Sequence, residues 1–99
     1  MTTFVVTYPV NDGTKFDRDY YIANHMPMVL EKWTKYGLSK ATALLPDEPT
    51  PAYLAVALLE FKDGAALDRC LASPEAAEIF GDVPAFTDIA PVGVRCEVG

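Results

Sequence analysis

The chain has 99 residues, 51% of them hydrophobic, and its 8 basic against 14 acidic side chains give a formal charge of −6. That length suits one domain able to bury a core without staples, and the negative field disfavours nucleic acid and anionic membranes as partners. No apolar run approaches the roughly 18–20 residues needed to span a bilayer, and the opening MTTFVVTYPVNDG lacks the basic leader and long apolar stretch of a secretion signal. Cys70 and Cys96 form no CxxC pair and each sits among apolar residues, so they read as reduced, partly buried thiols in a cytoplasmic protein.

In chain order, Phe4–Pro9 (FVVTYP) is a β-rich run closed by the turn signal NDG at Asn11–Gly13. Asp17 is placed to cap a helix running to Tyr36, and Gly37 suits the left-handed residue that ends many helices. Pro27 breaks that pattern: without an N–H it either kinks the helix or restarts it close to its first position. Residues 38–46 (LSKATALLP) form a weakly marked strand, Asp47–Pro51 a loop, and Ala52–Phe61 the clearest strand. Asp63 or Gly64 starts a second helix through Ala72, and Ser73 with Pro74 starts a short one over Glu75–Phe80. Gly81–Asp88 is loop, and Ile89–Val98 closes the chain as a strand.

The succession strand, helix, strand, strand, helix, strand predicts an α+β, ferredoxin-like split βαβ fold. Its four-stranded antiparallel sheet carries helices on one face. The strands are apolar on both sides: Tyr53, Ala55, Ala57, Leu59 and Phe61 oppose Leu54, Val56 and Leu58, and Phe4, Val6 and Tyr8 oppose Val5 and Thr7. Two helices cover one side only, so the pattern predicts a homodimer through the open sheet face.

Chemistry concentrates around His25, the only histidine. At about 100° per residue, Tyr21, His25, Met28, Lys32 and Tyr36 share one helical sector with Ile22 and Val29 beside it, while Tyr20 points elsewhere; Pro27 blurs the register beyond His25. His25 is suited to acid/base work near neutral pH or to hydrogen-bonding a ligand oxygen, with Tyr21 assisting. A purely structural role, bonding a carbonyl freed by Pro27, stands beside that one. Asp17 and Asp19 read as a cap and a first-turn charge, and Trp33, Tyr36 and Phe80 as core residues. Phe86 and Asp88, entering the last strand, are candidate pocket residues, and Asp88 is the acid considered as a partner for His25. A lone histidine makes neither a zinc nor a non-haem iron site. Neither a dinucleotide-binding glycine fingerprint nor a P-loop occurs, so no cofactor is indicated.

Tyr8–Pro9, the run FDRDYYIANHMPMV from Phe16 to Val29, and FTDIAPV from Phe86 to Val92 together resemble the EthD family across nearly the whole chain. The resemblance implies one ferredoxin-like domain over residues 1–99 that pairs sheet to sheet into a dimeric α/β barrel. It also implies a cavity between helices and sheet for a small apolar, oxygenated organic compound. His25 matches the family histidine, Tyr20 and Tyr21 its tyrosine pair, Pro27 its helix proline, and Phe86 and Asp88 its late motif; Met28 stands where leucine is common. Related small proteins include monooxygenases, polyketide cyclases, lactone isomerases and haem-handling proteins, and EthD-like members often carry an oxidoreductase label. The expectation is therefore of two kinds. One is a small-molecule enzyme using His25 and Tyr21, with Tyr20, Met28, Phe86 and Asp88 binding the ligand. The other is a non-catalytic binding or accessory protein of a catabolic pathway.

Overall fold

The structure, a computed structural model, describes residues 1–10 and 15–99; the turn expected at Asn11–Gly13 lies outside the described residues. Threonine, valine and aromatic side chains suit a pleated, half-buried surface, and they build β1 (Thr2–Pro9) and β3 (Tyr53–Phe61), which pair antiparallel. β2 (Leu38–Leu44) adds to the free edge of β3, and β4 (Val92–Glu97) adds to that of β1, giving the order β2-β3-β1-β4. The βαββαβ succession is thus the expected one.

The last strand starts at Val92 rather than Ile89. Pro91 has no N–H to give a ladder, and Ile89 turns inward beneath the preceding loop, where it is buried.

The expectation of an α/β barrel is corrected. The sheet is open: β2 bonds only to β3 and β4 only to β1, leaving two edges. Closure requires every strand to have two neighbours. One sheet face carries the helices and the core, with Phe4, Tyr8, Ala55, Ala57, Leu59 and Phe61 buried there. On the other face the register sets Val5 between Leu58 and Val94, and Thr7 between Val56 and Val92. Leu44, paired with Val56, extends that apolar strip, and Leu44, Val92 and Val94 are exposed.

The first helical stretch begins where Asp17 accepts a hydrogen bond from the Tyr20 N–H at 3.0 Å. It runs as a short α1 (Arg18–Tyr20), a π-helical turn (Tyr21–His25), α2 (Met26–Trp33) and a 3-10 turn (Thr34–Tyr36). Pro27 occupies the first turn of α2, so the stretch restarts there, through a widened turn in which the Met26 N–H reaches back to the Tyr21 carbonyl. Gly37 ends the stretch at φ 113°, and a Cβ on it would lie 2.8 Å from the Ala66 Cβ, so both backbone sign and space require glycine.

Asp63 caps α3 (Gly64–Leu71) by accepting the Ala66 N–H at 2.8 Å. Pro74 opens α4 (Pro74–Gly81), preceded as expected by Ser73, although the Ser73 hydroxyl donates backwards to the Cys70 carbonyl instead of capping α4. Lys32 with Glu78, Lys35 with Glu75, and the Tyr36 hydroxyl donating to Glu75 tie the first stretch to α4. Among the described residues no helix is long and apolar enough to cross a membrane.

Candidate functional site

A narrow apolar cavity of about 30 Å³, partly open to solvent, lies between the first helical stretch and the sheet. Phe4, Val6 and Tyr8 of β1 and Ala57 and Leu59 of β3 form its floor. Tyr21, His25, Met26, Val29 and Trp33 form its helical wall, and Ile79, Phe80, Val83 and Pro91 complete it.

The π turn sets which helical residues reach this cavity. A wider turn advances less around the axis per residue, so the inward face passes from Tyr21 and His25 to Met26, Val29 and Trp33. Met28, expected from uniform 3.6-residue periodicity to share the His25 face, is half-buried and is not among the cavity-lining residues; that expectation is corrected.

His25 is 4% exposed, and its Nδ1 lies 3.0 Å from Asp82 Oδ2. The other carboxylate oxygen, Oδ1, accepts a hydrogen bond from the Tyr20 hydroxyl at 2.8 Å. A carboxylate only accepts, so His25 Nδ1 carries the proton in that contact, which leaves Nε2 as the ring atom able to meet a ligand. Burial pulls the His25 pKa below its ordinary value, outweighing the raising effect of Asp82, so the ring is neutral and basic at neutral pH.

Phe86 is buried, with its ring centroid 4.7 Å from that of His25 and 5.1 Å from that of Tyr21. It packs behind the imidazole and is absent from the cavity lining. Tyr20 also lies outside the cavity lining, stacked on Phe86 at 6.2 Å. The adjacent tyrosines therefore diverge, as their helical positions predict. Tyr21 is fully buried on the cavity wall, and burial raises its pKa. Its hydroxyl, and the Nε1–H of Trp33 on the same wall, have no hydrogen-bond partner among the described residues.

Asp88 does not face His25. It is exposed and accepts the backbone N–H of Lys15 at 3.1 Å, closing the turn beside Phe16 and Thr87, so this candidate acid is not the one that meets the histidine. The acid that meets the histidine is Asp82, 57 residues away in sequence. Sequence reasoning placed it in an undifferentiated loop. The available signal was a local inconsistency: Asp82 is the C-cap of α4, where the negative end of the helix dipole disfavours a carboxylate. Among the described residues, no three His, Cys, Asp or Glu side chains are grouped to hold a metal ion.

No protein-family model matches the chain. No curated protein matches it. Solved structures do. The structure of an EthD-like protein from Ralstonia eutropha JMP134 aligns with a TM-score of 0.84 and 30% identity, over 98% of this chain and 90% of that one. A dimeric ferredoxin-like protein of unknown function from Jannaschia sp. CCS1 aligns at 0.69 and 21% identity, over 98% of each chain. SnoaB, a cofactor-independent oxygenase from Streptomyces nogalater, aligns at 0.70 and 16% identity, over 98% of this chain and 91% of SnoaB. The last two show a shared fold. The first, together with the ferredoxin-like sheet and the cavity built on its helical face, places this chain in the EthD-like family.

Proposed function

We propose that the chain binds a small, mostly apolar, oxygen-bearing organic compound in the cavity between helices and sheet, and acts on it with His25 as general base or polariser. The observation that carries this reading is the cavity wall itself. A buried histidine, held neutral, stands one π turn from a fully buried tyrosine hydroxyl that has no partner among the described residues, within an otherwise apolar lining. Burying a hydroxyl unbonded costs about 1–3 kcal/mol, and a ligand oxygen meeting Tyr21 or Trp33 removes that cost. Ligand shape is read by Phe4, Val29 and Leu59, and its oxygen by Tyr21 and His25. Transfer of a ligand proton to Nε2 is chemistry the protein supplies by itself. The EthD-like assignment and the fold shared with SnoaB support an oxidoreductase class for the reaction.

A second copy of the chain on the open sheet face completes the proposal. That face presents an apolar strip through Leu44, Val56, Leu58, Val5 and Val94, and a protein sharing this fold is dimeric. Burying about 800 Å² per partner at roughly 25 cal/mol/Å² gives a large gross driving term before association costs. The free thiols Cys70 and Cys96 suit a reducing compartment, and we assign the cytoplasm.

The test is a panel of quinones, lactones and aryl ethers, screened for binding and for turnover. A ligand of this site binds wild type and loses affinity in Tyr21→Phe; an enzyme also turns it over and stops doing so in His25→Ala with the fold intact. Binding without turnover makes the protein a carrier. Binding that ignores both substitutions overturns the site. Sedimentation as a monomer at micromolar concentration overturns the dimer.

A further inference from the structure

Asp82 is placed against local preference and is fully used. Its backbone closes the C-terminus of α4, where the negative end of the helix dipole disfavours a carboxylate. Yet both of its carboxylate oxygens are committed, Oδ2 to His25 and Oδ1 to Tyr20. Such a breach of a local rule, offset by long-range contacts, is what functional sites show. The other groups around the imidazole are Tyr20 and Tyr21 on its own helical stretch, Phe86 from the loop after α4, and Tyr8 of β1 behind Tyr21. Among the described residues, Asp82 is the one carboxylate that reaches the imidazole. Its side chain is 20% exposed against 5% for His25, so it joins the buried ring to the solvent edge.

We propose that Asp82 is the positioning residue of this site: by accepting the Nδ1–H of His25 while Tyr20 locks its second oxygen, it holds the imidazole as the Nδ1–H tautomer and presents Nε2 to the ligand as the base. When Nε2 takes a proton from the ligand, the imidazolium forms beside the Asp82 carboxylate, which stabilises it without itself accepting the proton. Tyr20 then acts through Asp82, which gives the two adjacent tyrosines different tasks: Tyr21 meets the ligand and Tyr20 secures the acid. This inference rests on the reading of the cavity as a ligand site.

His25 is the only histidine, so long-range ¹⁵N–¹H spectra of the imidazole report it without assignment. In wild type above the ring's titration, Nδ1 is expected to be the protonated nitrogen and Nε2 the unprotonated one. Asp82→Asn is expected to mix the tautomers and lower the imidazole pKa by about one unit or more, the scale of losing an adjacent opposite charge. Tyr20→Phe is expected to loosen the pair with a smaller shift, and Asp82→Glu to restore the Nδ1–H form in part. If wild type holds the Nε2–H tautomer, the proposal is wrong, and this arm needs no variant to fold. It is equally wrong if Asp82→Asn leaves tautomer and titration unchanged. Should no panel compound bind while Asp82 still sets the tautomer, the ligand reading fails and the positioning role stands. Should compounds bind Tyr21 while the tautomer ignores Asp82, the positioning role fails and the ligand reading stands.

Discussion

Replacing Tyr21 by phenylalanine separates the cost of an unbonded hydroxyl from its use. The ring is fully buried and meets Phe16 and Phe86 at 5.1 Å, Tyr8 at 5.6 Å and His25 at 5.8 Å between centroids. Phenylalanine keeps that ring and its edge-to-face contacts, so packing is conserved and only the oxygen is removed. Because the hydroxyl has no protein partner among the described residues, its removal relieves a desolvation cost of about 1–3 kcal/mol. The ligand-free protein is therefore expected to gain about 1 kcal/mol or more in stability. For a domain of this size that is roughly 4–8 °C in Tm per kcal/mol. Ligand affinity moves the other way, falling about 2- to 13-fold for the loss of a hydrogen bond near 0.5–1.5 kcal/mol. Urea unfolding with an unchanged m-value measures the first effect, and titration of a panel ligand the second. If Tyr21→Phe destabilises the free protein by about 1 kcal/mol or more, the hydroxyl is bonded in the native state and the reasoning fails.

Three further outcomes follow from other parts of the fold. The folded pKa of His25 lies below its unfolded value of about 6.5, so the unfolded chain binds more protons in acid. The associated stability is complete above pH 6.5 and lost as pH falls through the folded pKa; His25→Gln should flatten that part of a stability–pH profile, and an unchanged profile counts against it. Gly93→Ala drives a Cβ into the Phe4 ring, so it should overpack the cavity floor and cost about 1–3 kcal/mol in chemical denaturation; an unchanged midpoint would show that β4 yields. Exposed Cys96 should label at once with a thiol reagent, whereas buried Cys70, its thiol pushed up to about 11, should label only on unfolding, and two fast-reacting thiols would contradict the packing.

Local chemistry was legible from the chain alone. Asp17 and Asp63 cap helices because a short acceptor before a helical run has an unpaired N–H within reach. Gly37 takes the left-handed turn because a side chain is strained there. The strands over Ala55–Phe61 and Phe4–Tyr8 announced two apolar faces through period-two alternation, and the structure covers one with helices and exposes the other. The histidine and its neighbouring tyrosine on one wall were likewise readable from their spacing.

Tertiary structure decided what depends on distant partners or on a change of helical pitch. The π turn before Pro27 brought Met26 to the inward face beside Val29 and Trp33 and left Met28 off the cavity wall. Asp82 and Asp88 are both loop acids by composition; one lies beside His25 because α4 is held against the first stretch through Glu75 and Glu78. The other closes a turn with Lys15. Sequence carries the rules that act within a turn or a strand, whereas a contact between residues 25 and 82 exists only once the sheet and α4 have set the distance between them.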